Sequence, residues 1–252
     1  MAKPKKSKLT RQSQRLGFEL KRTYYHLQGR QVVHFLHIGK TGGTAVRDTL
    51  HHHTLTPTYK IFLHGHHFAL SRVPVGDKCF FVLRDPISRF VSGFYGRQRM
   101  DRPRYDLPWR PAEAVAFGRF HTPNQLACAL SAPDSDTRAA AEAAMEGISH
   151  VRSSYWKWFK DEAYFLSRRD DILFVGFQET LSQDFDQLRQ LLGLPDSVAL
   201  PQEGAKAHRN PDHLDKRLDE DAIANLRTWY ARDYEFLALC KAAFRQPAIA
   251  QI

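Results

Sequence analysis

Residues 35–46, Phe35-Leu36-His37-Ile38-Gly39-Lys40-Thr41-Gly42-Gly43-Thr44-Ala45-Val46, constrain this chain more than any other stretch. A short apolar run enters a glycine-containing turn, and helical spacing resumes behind it. A strand, a turn and a helix in that order point backbone N–H groups and a helix N-terminus at an anion. Lys40 adds a full charge, Gly42 and Gly43 let the backbone approach without a Cβ, and Thr41 and Thr44 offer hydroxyls. The expected occupant is a phosphate or sulfate group, held by Lys40, Thr41, Gly42, Gly43, Thr44 and Ala45. The nucleoside-triphosphate loop G-x-x-x-x-G-K-[ST] is matched only in its second half, because His34 stands where its first glycine belongs.

Three further runs share the β-branched and aromatic character of residues 31–37. They lie at 59–64, 78–83 and 172–177, and they read as strands buried on both faces. Helical spacing is expected at 44–53, 86–99, 111–120, 137–149, 151–167, 179–193 and 219–243. Strands alternating with helices predict an α/β fold, a P-loop-like parallel sheet flanked by helices in one domain over residues 31–252. The proline-rich stretch 100–136 reads as an irregular insertion at the mouth of the site, where acceptor specificity resides.

Charge is unevenly placed. Of the net +10, residues 1–30 hold nine Lys or Arg against Glu19, which leaves +2 for the remainder. This leader reads as a basic, solvated, flexible arm, and no nucleic-acid partner is expected from a basic tail alone. No apolar stretch is long enough to span a membrane, so no transmembrane segment is expected. Cys79, Cys128 and Cys240 are odd in number and widely spaced, which points to a reducing cytoplasm and to no metal knuckle.

The run Phe80-Phe81-Val82-Leu83-Arg84-Asp85-Pro86-Ile87-Ser88-Arg89-Phe90-Val91-Ser92-Gly93-Phe94-Tyr95 places Arg84 at the carboxyl end of a predicted strand, the edge where open α/β sheets bind ligands. Asp85 is a good N-cap and Pro86 a tolerated first-turn residue. Arg84 and Ser92 suit a second phosphate.

Together the two motifs resemble the sulfotransferases that use 3′-phosphoadenosine 5′-phosphosulfate (PAPS). Lys40-Thr41-Gly42-Gly43-Thr44 is similar to their 5′-phosphosulfate loop. Their 3′-phosphate motif, Arg-Asp-Pro-x-x-Arg-x-x-Ser-x-x-Tyr, is matched by Arg84, Asp85, Pro86, Arg89, Ser92 and Tyr95. Within that family the chain looks most like the carbohydrate branch of heparan sulfate and uronyl 2-O-sulfotransferases, whose His-Gly-His element appears here as His64-Gly65-His66. The resemblance implies PAPS as donor, 3′,5′-ADP as product, and a hydroxyl acceptor on a sugar or glycan. It further implies His66 as catalytic base and His64 as an assisting residue, with Lys40 neutralising the departing 5′-phosphate. An unperturbed imidazole titrates near ~6.5, so a histidine base needs no large shift at neutral pH.

The other histidines have plainer readings. His51, His52 and His53 fall at a helix end, where cationic rings complement the dipole. His34 and His37 alternate along a strand and read as packing or loop support. Downstream, His150 and its neighbours are candidates for the acceptor cleft, while Tyr155, Trp156, Trp158 and Phe159 have the spacing of core. Lys206-Ala207-His208-Arg209-Asn210 is a candidate third phosphate contact, and Glu179 is expected to cap a helix. Arg97 to Arg110 are candidates for holding an anionic acceptor. No metal is expected. Two rival functions remain open at this point: a P-loop nucleotide kinase, suggested by Gly39-Lys40-Thr41, and a non-enzymatic polyanion-binding protein using the basic arm. Oligomeric state and acceptor identity have no readable code.

Overall fold

Each of the four apolar runs is a strand in the computed structural model, which describes residues 8–201, 211 and 213–244. β1 (Gln31–Leu36), β2 (Tyr59–Leu63), β3 (Lys78–Leu83) and β4 (Ile172–Phe177) form one parallel sheet in the order β2-β1-β3-β4. The chain leaves β1 for β2 on one side and returns to β3 on the other. Strand order therefore reverses between β1 and β3, and the crevice beyond their carboxyl ends is where such sheets take ligands.

Helices cover both faces: α1 (Lys8–Leu27), α2 (Gly43–Leu50), α3 (Pro86–Gln98), α4 (Pro111–Arg119), α5 (Pro123–Ala129), α6 (Ser135–Gly147), α7 (Trp156–Phe159), α8 (Glu162–Ser167), α9 (Leu181–Leu191), α10 (Glu220–Trp229) and α11 (Ala231–Phe244). Alternate strand residues serve opposite faces. Val33, Phe35, Phe80, Val82 and Phe174 pack with Val46 and Leu50 of α2 and with Phe185 and Leu188 of α9. Leu36, Phe81, Leu83 and Val175 pack instead with Phe159, Phe165 and Phe236. Each buried Phe side chain stabilises the fold by roughly 1.5–3 kcal/mol. A third cluster joins α3 to α4, α5, α6 and α10 through Phe94, Phe117, Leu126, Met145 and Leu226.

Four local expectations change. The stretch 100–136 is irregular only as far as residue 110, because Pro111 and Pro123 are first-turn residues and start helices instead of breaking them. Thr122 and Gln125 close a reciprocal capping box there. The helix expected over 151–167 is two short ones, interrupted where Lys160 takes a left-handed φ of 69° and Asp161 caps α8 through the Tyr164 N–H. The helix expected over 219–243 breaks at Tyr230, whose hydroxyl donates to the Val151 carbonyl. The leader expected as a flexible arm is helical over Lys8–Leu27, and it docks: Phe18 meets Phe62 edge-on at 5.1 Å, and Arg22 and His26 bond the buried carboxylate of Asp77. A carboxylate without solvent needs such partners, which is why α1 is drawn onto the sheet. Among the described residues no helix is long and apolar enough to cross a membrane.

Candidate active site

The phosphate loop joins β1 to α2 as its sequence suggests. Gly42 caps α2 with φ of 86°, a conformation costly for other residues. Gly43 is required for space, since a Cβ there would lie 2.6 Å from Cδ2 of His37. The first turn of α2 leaves backbone N–H groups at the loop. Thr41 is buried and its hydroxyl donates to the Ile38 carbonyl at 3.1 Å, so it braces the loop instead of offering a donor outward. Thr44 and Ala45 lie in the first turn of α2, with Thr44 half-buried and Ala45 buried.

Two arginines of the second motif bind this loop from the β3 side. Arg84 Nη1 donates to the Lys40 carbonyl at 3.4 Å, and its Nε donates to Ser88 Oγ at 2.8 Å. Ser88 is therefore the hydroxyl beside Arg84, and Ser92 stands one turn further along α3. Arg89 is buried, donates to the Gly39 carbonyl at 3.0 Å, and lies over the rings of Tyr155 and Trp158 at 4.7 and 5.6 Å. It supports the loop from behind. Asp85 caps α3 through the Ser88 N–H at 2.8 Å, and its own N–H is held by Glu179. Glu179 thus serves α3, across the sheet edge from its own segment. Tyr95 is buried and donates to the Asp215 carbonyl.

Lys40 does not extend freely into the loop. It takes a φ of 67°, and its Nζ meets Asp101 Oδ1 at 2.9 Å, packed so close that a Cβ on Gly96 would come within 2.3 Å of it. Asp101 also accepts from Arg97 Nη1 at 2.9 Å and lies 3.1 Å from His150 Nε2. Burial would raise the Asp101 carboxyl, but the bonds from His150 and Lys40 outweigh it and hold it far below the usual carboxylate range. Burial lowers the Lys40 amine against the opposing pull of Asp101, and lowers His150 to about 4. Arg97 runs on to Glu113, a fully buried acid that also takes the Ser149 hydroxyl and the Arg110 N–H. The guanidinium of Arg97 is thereby committed to acids of the protein, and Arg104 pairs with Asp48 of α2 at 2.7 Å. The insertion does lie across the mouth of the site, but Arg97, Arg102 and Arg104 meet the protein's own carboxylates.

The histidines gather at the ends of β1 and β2. His66 is exposed, its Nδ1 lies 3.0 Å from the His37 carbonyl, and its own carbonyl accepts Trp158 Nε1 at 2.8 Å. A carbonyl can only accept, so Nδ1 carries the proton and Nε2 keeps the lone pair. Although the residue is open to solvent on one side, the protein packed around its ring desolvates it and lowers His66, and the His37 carbonyl opposes that shift. His37 is buried against it, 3.9 Å between ring centroids, pushed down to about 3 by burial and by His66, with Nδ1 lacking a partner. His64 is half-buried, stacked on Phe68 at 3.4 Å, and bonded through Nε2 to His34 Nδ1 at 2.9 Å. His51 and His52 are exposed at the end of α2.

The structure thus brings Lys40, Arg84 and His66 around one loop. Tyr155 and Phe159 are core, as their spacing suggests, whereas Trp158 also fixes His66. Residues 206–210 lie outside the described residues. Asp101, Asp77 and Ser88 went unnoticed in the sequence because none is a fixed position of a motif, and Trp158 was read only as core. The one available signal was that Asp101 is one of only three acids among the seven arginines of residues 84–110.

The family model described as the sulfotransferase family matches residues 24–239. No curated protein matches the chain. With more than four-fifths of its length inside that match, the chain belongs to the sulfotransferase family, and sulfuryl transfer replaces the kinase reading of Gly39-Lys40-Thr41.

Proposed function

We propose that this sulfotransferase moves the sulfuryl group of PAPS to a hydroxyl of a sugar or glycan and releases 3′,5′-ADP. One observation carries the reading: the His66 ring is tied by its Nδ1–H to the carbonyl of His37, the residue that leads into the phosphate loop. A lone pair suited to accept a hydroxyl proton is thereby fixed beside a loop suited to a transferring anion. The residues present fit the donor, since Gly42 and Gly43 form a bend that side chains would block and Arg84 reaches the same loop from β3. Bound PAPS would supply an activated sulfuryl group on a phosphate leaving group.

The protein's own part is to bind, orient and move a proton. The first turn of α2 and Lys40 would hold the 5′ end, and Arg84 with Ser88 or Ser92 the 3′-phosphate. His66 Nε2 would take the acceptor proton. Lys40 must leave Asp101 to balance charge on the departing phosphate, so donor binding and release of that ion pair are one event. We place the reaction in a reducing cytoplasm, in keeping with three cysteines that stay free.

The test is a transfer assay with labelled PAPS against a panel of glycans, lipids and small phenols. Label on a glycan and on none of the phenols is the expected result. Label on a phenol alone would overturn the acceptor class, and no transfer together with failure to bind 3′,5′-ADP would overturn the donor.

A further inference from the structure

We propose that Asp77 and His34 are positioning residues for His64, fixing which nitrogen of its ring carries the proton and presenting the other to the acceptor. The proposal rests on reading His64-Gly65-His66 as the acceptor end of a sulfuryl-transfer site. His34 Nε2 lies 3.0 Å from Asp77 Oδ2, and both side chains are fully buried. On its other side His34 Nδ1 lies 2.9 Å from His64 Nε2. The same carboxylate takes Arg22 Nε at 2.6 Å and lies 2.9 Å from His26 Nε2, so α1 completes the chain. The charged and titratable groups that meet it are Arg22 and His26 from α1, with Glu19 behind Arg22, His34 from β1, and His64 beyond β2.

Packing does not account for this arrangement. His34 is surrounded by Phe18, Phe62 and Phe68, and a phenyl ring would fill that stack without the cost of burying a carboxylate opposite it. What an imidazole adds is direction. Burial works to raise Asp77, but the bonds from His34, Arg22 and His26 hold it at about 2, so it is ionised and can only accept. His34 Nε2 must then donate. With that one proton on Nε2, His34 presents Nδ1 as an acceptor, and the Nε2–H of His64 fills it. Burial pushes His64 down to about 3, so its ring holds one proton; donated to His34 Nδ1 it sits on Nε2, and Nδ1 is left with the lone pair. The Phe68 ring, 5° from parallel, fixes the plane in which that lone pair lies. His64 is thereby a neutral hydrogen-bond acceptor for a hydroxyl, a role distinct from the base at His66.

Long-range proton–nitrogen correlation spectra of the whole chain with ¹⁵N-labelled histidine read the tautomer directly. The wild-type spectrum is expected to show His64 protonated at Nε2. His34→Phe keeps the aromatic stack and removes the acceptor, and Asp77→Asn replaces an acceptor with a group that can also donate. In both, His64 should lose its single tautomer. On the best acceptor of the panel, kcat/KM should fall about 10- to 100-fold. Affinity for 3′,5′-ADP should stay within about two-fold, because the donor contacts are untouched. A wild-type His64 protonated at Nδ1 overturns the proposal, as does a His64 that keeps its Nε2 proton in both variants or an unchanged kcat/KM in a folded His34→Phe chain. If a variant fails to fold, the wild-type spectrum alone decides. Absence of any transfer by the wild-type chain would instead defeat the sulfotransfer reading, and the spectrum needs no turnover.

Discussion

On one flank of the phosphate loop His37, His64 and His66 are held by a carbonyl, by rings and by one another, while on the other flank Lys40 meets Asp101 among Arg97, His150 and Glu113. The first flank keeps its groups neutral, because burial there outweighs what nearby acids offer a charged imidazole. The second keeps Lys40, Arg97, Asp101 and Glu113 as ion pairs of opposite sign, with His150 the one ring there that burial keeps neutral. Under the proposed function, the difference would let one loop serve both demands of the reaction: a neutral lone pair for the acceptor proton and a mobile cation for the leaving phosphate.

Removing the cation should have the largest effect. Lys40→Ala is expected to lower kcat by about 10³-fold, the scale of losing a charge aimed at a developing anion. It should also weaken 3′,5′-ADP binding, measured by calorimetry. Turnover that survives the substitution would break the assignment of this flank. Removing the lone pair comes next. His66→Ala should lower kcat by about 10² or more with nucleotide affinity nearly intact. His64→Ala should do less, and the reverse order would make His64 the base.

The contrast also separates what the residues revealed in advance from what they hid. β1, β3 and β4 were legible because buried parallel strands are continuous apolar runs; β2 has the same composition but lies at the sheet edge with only Ile61 buried, against the expectation of burial on both faces. The loop was legible because glycine tolerates conformations and contacts that other residues do not. Lys40, Arg84 and His66 were legible because their spacing repeats within a known motif. Asp101 was not, since its place depends on Met100 and Asp101 both adopting left-handed φ angles of 56° and 60°, which no spacing rule predicts for such residues. Nor was the link between α1 and His64, which joins residues 22, 34, 64 and 77 only after the sheet has formed. Prolines misled in the insertion, where Pro111 and Pro123 mark helix starts.

A smaller effect, and a sharper one, is expected at the ion pair that holds Lys40. Lys40 must give up Asp101 before it can meet a phosphate, so part of the donor's binding free energy is spent on that exchange. Asp101→Asn removes the competing charge while keeping the shape. It should bind 3′,5′-ADP about three- to ten-fold more tightly, and the melting temperature should fall because Arg97 and Lys40 lose a buried partner. Weaker nucleotide binding in a folded variant would mean that Asp101 aims Lys40 at the phosphate instead of holding it away.

Acid should act on the buried histidines and on the buried carboxylates in different windows. His37 and His64 sit at about 3 and His150 at about 4, against 6.5 for a free imidazole. Between about 4 and 6.5 the unfolded chain binds protons on these rings that the folded chain does not, so stability rises with pH across that window. Asp77 and Glu113 are both held at about 2, below their ordinary 3.8 and 4.5. Their contribution is complete above the ordinary carboxylate range and is lost only as pH falls toward about 2. Both effects have the same sign but occupy different windows. Melting temperature should therefore drop by about 5 °C or more between pH 7 and pH 5, from the histidines alone. His37→Phe, which removes one of the titrating rings, should flatten that slope, and Glu113→Gln should leave it unchanged while lowering stability at every pH above about 4. A curve flat to pH 4.5 that falls only below it would mean that the histidine flank is not kept neutral, and the contrast between the flanks would fail.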